Sequence, residues 1–107
     1  MGRRRMYRDI ELPREVVMCV KALLAEEERE KRLGISTDLG ARVAIAMGIA
    51  DKNLERVVAL ILVDDIAKGR GYDSSKLSLE MDLGTYYRRK KRYIFDVAVA
   101  LGLATIT

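Results

Sequence analysis

Leu79-Glu-Met-Asp-Leu-Gly-Thr-Tyr-Tyr-Arg-Arg-Lys-Lys-Arg-Tyr-Ile-Phe-Asp-Val-Ala-Val-Ala-Leu101 is the stretch that decides how this chain reads. Asp82 suits an N-cap, where its carboxylate accepts from an orphan backbone N–H, and Thr85 then falls at the third helical position. From there Tyr86, Tyr93, Ile94, Val97, Ala98 and Leu101 recur at helical spacing and predict one inner face. Gly102 follows as a terminator. Arg88-Arg89-Lys90-Lys91-Arg92 is an unbroken run of cations on the same helix, and Tyr87, Arg88, Lys91 and Arg92 point largely away from the inner face. Ahead of Asp82, a shorter helix is predicted over 74–80, capped by Asp73 or Ser74. A short helix, a tight turn and a longer helix with cationic early turns form the pattern of a helix-turn-helix. In that motif the second helix enters the DNA major groove.

Working outward, the rest also reads as helix. Proline occurs once, and Ala, Leu, Glu, Arg and Lys dominate. Leu54, Val57, Val58, Ile61, Leu62 and Ile66 predict a helix to about Lys68, capped by Asp51 or Asn53 and broken by Gly69-Arg70-Gly71. As the most apolar helix, it is expected at the centre of the core. Ser36, Thr37 and Asp38 are cap candidates for a helix over 39–50, whose small residues, with Gly40 and Gly48, predict close helix packing. The first helix is expected to open near Pro13 and to bury Val16, Val17, Val20, Leu23 and Leu24, with Cys19 a small buried hydrophobe. Its tail, 26–32, reads as a charged solvent-facing extension with a Glu27–Lys31 pair, ended by Gly34. The expectation is an all-α, compact helical domain of about five helices with a C-terminal helix-turn-helix. One domain spans 1–107, with 1–50 serving dimerisation or partner contact and 54–102 binding DNA.

Composition removes other classes. With no histidine, the imidazole-based nucleophile pairs and the common zinc sites are excluded. Cys19 alone forms no intramolecular disulfide, which excludes a disulfide-stapled scaffold. Asp64 and Asp65, about 100° apart on a helix, do not converge as a metal pair and are expected to be solvated or paired to a cation. No phosphate loop, metal-ligand spacing or nucleophile–base pair is present, so no enzyme and no cofactor is expected. No apolar run reaches the length of a membrane span, and Met1-Gly-Arg-Arg-Arg does not lead into a secretory signal; a cytoplasmic protein is expected. The net charge of +4 is unevenly spread: residues 70–107 hold 7 cations against 4 acids, and Arg3, Arg4 and Arg5 form a basic arm. Such clusters are the electrostatic footprint of phosphate-backbone binding.

The residue types suit that role. Arg88, Lys91 and Arg92 supply charge for phosphates and guanine edges, and Tyr87 offers a hydroxyl. Gly84 and Thr85 allow close approach at the helix start, and Ser74, Ser75 and Lys76 are placed to hold phosphates from the shorter helix. Leu79 and Met81 before the turn, Asp82 at the cap, Thr85-Tyr86-Tyr87-Arg88 with Lys90 and Lys91, and the closing Val97-Ala98 and Leu101-Gly102 carry a further signal. Together they resemble the C-terminal segment of phage late-gene transcriptional regulators of the ArpU/RinA type, which is similar to the helix-turn-helix of sigma-factor region 4. Leu54 through Ile66 resembles the helix that precedes this motif, so the resemblance spans about 54–102. It implies a sequence-specific DNA-binding transcriptional regulator of phage or prophage origin. Its partners would be double-stranded DNA and RNA polymerase. A homodimer is the default for helix-turn-helix proteins. The alternative is a helical protein–protein interaction module, or a phage assembly or packaging accessory protein, without specific DNA readout.

Overall fold

The computed structural model describes residues 12–72 and 81–104. These form four helices: α1 (Arg14–Leu33), α2 (Asp38–Asp51), α3 (Arg56–Lys68) and α4 (Leu83–Ala100), with no strand among the described residues. The expected helix over 74–80, with Ser74, Ser75 and Lys76, lies outside the described residues, as does the Arg3–Arg5 arm. No single helix among the described residues is long and apolar enough to cross a membrane.

Local chemistry sets the helix ends. Pro13 precedes the first turn of α1. The Thr37 hydroxyl accepts from Gly40 N–H at 2.9 Å, and the Asp82 carboxylate accepts from Thr85 N–H at 2.7 Å. α3 departs from expectation: its N-cap is Glu55, with no side-chain cap. Asn53 is instead drawn off to donate to Asp96 of α4 at 2.8 Å. Gly34, Gly69 and Gly102 take left-handed φ of 71°, 68° and 78°. Behind each, the next N–H closes on a carbonyl five residues back: Ile35 on Glu30, Arg70 on Asp65, Leu103 on Ala98.

The core centres on α4. Tyr93, Ile94, Val97 and Ala98 pack with Val20 and Leu24 of α1, Val43, Ala46 and Ala50 of α2, and Ile66 of α3. A second cluster joins Val58 and Leu62 of α3 to Tyr86, with Leu54, Tyr72 and Met81 around it. The spacing of Tyr86, Tyr93, Ile94, Val97 and Ala98 therefore reads correctly as the inner face. α3 is not the centre, because Val57 and Leu60 are more than half exposed. Among the described residues, α3 meets α1 and α4 through its other side, that of Val58, Leu62 and Ile66.

Three further expectations are corrected. Cys19 is exposed, because Val20 and Leu24 set the buried edge of α1 and Cys19 falls outside it. The tail of α1 is not wholly solvent-facing. Glu30 is buried, its carboxylate accepting from the Thr37 hydroxyl at 3.0 Å, and the exposed pair on this tail is Glu26–Arg29 at 2.6 Å. Gly40 is a close-approach glycine, since a Cβ there would press into the Glu30 carboxylate, but Gly48 faces open space.

Candidate nucleic-acid interface

The α4 helix is held by its inner face before it offers anything outward. Tyr86 is fully buried and its hydroxyl donates to Asp65 at 2.6 Å. Asp65, itself buried, has Arg70 Nε at 3.4 Å from its other oxygen. Arg70 also pairs with Asp64, which Lys68 reaches at 2.9 Å. Both aspartates are thus paired to the Arg70 guanidinium, the pairing to a cation being one of the two expectations for them, and among the described residues no cluster of ligating side chains could hold a metal. Burial, and then the Asp65 hydrogen bond, push the Tyr86 phenol far above its ordinary value. Tyr72 and Tyr87 meet the Tyr86 ring edge-on at 5.4 and 4.9 Å, and the Tyr72 hydroxyl donates to the Met81 carbonyl at 2.7 Å.

On the outer side, Gly84, Arg88, Lys91 and Arg92 fall within an arc of about 100° at 100° per residue. Gly84, Tyr87 and Arg88 are exposed, and Thr85, Lys91 and Arg92 are half-buried. A Cβ at Gly84 would make only ordinary contacts, the nearest at 3.6 Å to Arg88, so the helix start is open to an incoming surface. Thr85 accepts from the Arg88 guanidinium at 3.1 Å, which draws that side chain along the first turn. The backbone and side-chain hydrogen bonds from Thr85 hold the Asp82 carboxyl below its usual range. Arg92 is committed to Asp96 at 2.8 Å and so sits at the rim of the arc. Tyr87 is 46 % exposed, and its hydroxyl receives only a long contact, 3.4 Å, from the Tyr72 N–H.

Two further cations join that are not among the expected DNA-binding residues, Lys90 of the cation run and Lys21 of α1. Lys90 is half-buried and donates to the Arg70 carbonyl at 2.8 Å, with its ammonium 5.5 and 5.6 Å from the centroids of Tyr86 and Tyr87. Burial and the charge of Lys21 lower its pKa. Lys21 of α1 shares with Tyr87, Lys90 and Lys91 a cavity of about 420 Å³ floored by Val17 and Ile94. Nothing local marks Lys21, because only the packing of α1 on α4 brings it to this edge. The sequence-predicted residues of α4 therefore lie together, with Lys21 beside them, while Ser74, Ser75 and Lys76 lie outside the described residues. No protein-family model, curated protein or solved structure matches the chain.

Proposed function

We propose that this chain binds duplex DNA through α4 and acts as a transcriptional regulator of the phage late-gene kind. The observation that carries the reading is the outward arc of Gly84, Arg88 and Lys91, flanked by Tyr87, on a helix whose opposite face is locked into the core. A rigid helix with cations on its early turns suits the major groove, and the helix N-terminus adds favourable interaction with phosphate. Ser74, Ser75 and Lys76 would add phosphate contacts from the segment before α4, and RNA polymerase would be met in the cytoplasm by a surface other than this arc. The resemblance over 54–102 supports the same function. A fluorescence-anisotropy titration of labelled duplex DNA across a salt series tests it. The expected result is affinity that falls steeply with salt, with a slope that drops by about 2 in Arg88→Ala/Lys91→Ala. No affinity at low salt, or an unchanged slope in that variant, refutes it.

A second reading, a protein–protein interaction module, is favoured by one observation. The outer side of α2 leaves Leu39, Ile45 and Ile49 about half or more exposed. Salt-insensitive assembly without DNA affinity would select it.

A further inference from the structure

Among the described residues no helix packs on the outer side of α2, and its composition says what fits it. Asp38, Ala41, Arg42, Ile45, Gly48, Ile49 and Lys52 each have a neighbour in the set three or four residues away and are all exposed, Ile45 at 66 %. That is one continuous stripe along a helix of 14 residues, about 21 Å long, and its C-cap residue Lys52. Gly48 is the second clue. It lies inside the helix, where glycine is unfavourable relative to alanine, and among the described residues nothing stands within 4 Å of where a Cβ would be, so their packing does not call for a glycine.

We propose that this stripe pairs with the same stripe of a second copy of the chain, the two α2 helices running antiparallel about Ile45. Two-fold pairing about Ile45 sets each residue against a fixed counterpart. Asp38 then meets Lys52 of the other copy at both ends. Ile49 lies over Ala41, and Arg42 lies over Gly48, so large faces small along the contact. A parallel pair would instead set Asp38 against Asp38, Ile49 against Ile49 and Lys52 against Lys52. Charge and shape both select the antiparallel arrangement. The contact is short, so the dimer exchanges with monomer at accessible concentrations. This inference does not depend on DNA binding.

Sedimentation equilibrium of the full chain, without nucleic acid, tests it. The expected species is a reversible dimer of the 12.1 kDa chain. Ile45→Asp, on a side chain that touches little of its own fold, gives a monomer with unchanged helical circular dichroism. Asp38→Lys sets lysine against lysine at both ends and weakens the dimer about tenfold, and Asp38→Lys/Lys52→Asp restores it. A chain that stays monomeric at about 1 mM overturns the proposal and leaves the stripe to a different protein. A dimer indifferent to Ile45→Asp, or one that the double exchange fails to restore, overturns it as well.

Discussion

Replacing Tyr86 by Phe removes one oxygen from the most buried polar contact that holds α4. The ring is 0 % exposed, and its hydroxyl is 2.6 Å from a carboxylate oxygen of Asp65, a residue that is 1 % exposed. A hydrogen bond to a charged acceptor contributes roughly 1.5–3 kcal/mol, and a buried acceptor stripped of its donor carries a desolvation penalty of the same order. Arg70 lies 3.4 Å from the other carboxylate oxygen and remains to offset part of the loss. We therefore expect Tyr86→Phe to destabilise the fold by about 2 kcal/mol. For a chain of this size that lowers Tm by roughly 10 °C. Tyr87→Phe is the control: it removes only a 3.4 Å contact from an exposed hydroxyl and should change stability by less than about 0.5 kcal/mol. Urea unfolding followed by circular dichroism reads both. The midpoint should move for Tyr86→Phe with an unchanged slope. If Tyr86→Phe matches the parent, the Asp65–Tyr86 contact does not anchor α4, and the account of its rigidity fails.

Other expectations follow from the same packing. Tyr86 and Tyr93 are both raised above the ordinary phenol value, by burial first, then by the hydrogen bond to Asp65 for Tyr86 and by the charge of Asp51 for Tyr93. The folded state thus holds these protons more tightly than the unfolded one. Their stabilisation is fully present below about pH 10 and is lost as pH rises beyond it. Urea midpoints should fall as pH rises above about 10, and less so in Tyr86→Phe/Tyr93→Phe; an equal fall in both proteins contradicts this. Gly40→Ala should destabilise by about 1–3 kcal/mol because the new methyl displaces Glu30 from Thr37. Gly48→Ala, facing open space, should stabilise the dilute monomer by about 0.5–1 kcal/mol. Thermal melts that fail to separate the two would show that the α1–α2 contact is misread. Lys21→Ala should lower the salt slope of DNA binding by about 1, and an unchanged slope would place Lys21 away from the phosphates.

Much of the fold is legible because it is local. Asp82 with Thr85, Thr37 with Gly40, and Gly34 and Gly102 are cap arrangements completed within a few residues, and the structure shows each of them. The inner face of α4 is legible because Tyr86, Tyr93 and Val97 repeat at helical spacing on a helix with few alternatives. What the sequence hides depends on which helix lies opposite. Glu30 reads as one more charge in a charged tail until Thr37 folds back on it. Val57 and Leu60 read as core, but the described packing of α3 uses its other side and leaves both more than half exposed. Cys19 lies one residue from a buried valine, so a small rotation of α1 decides its exposure. At the candidate site, Arg88 and Lys91 are legible from the cation run. Lys21 enters only through the packing of α1, and Arg92 is drawn to Asp96 by a contact that also engages Asn53 of the loop before α3.

The most direct test of α4 as the DNA-contacting element is a chemical-shift map: ¹⁵N-labelled protein titrated with a short duplex at low salt. The expected result is that the amides of residues 84–92 shift in a saturable way, with Lys21 beside them, while the amides of α2 stay in place. Shifts concentrated on Leu39, Ile45 and Ile49, or a duplex that moves no amide of α4, would contradict it.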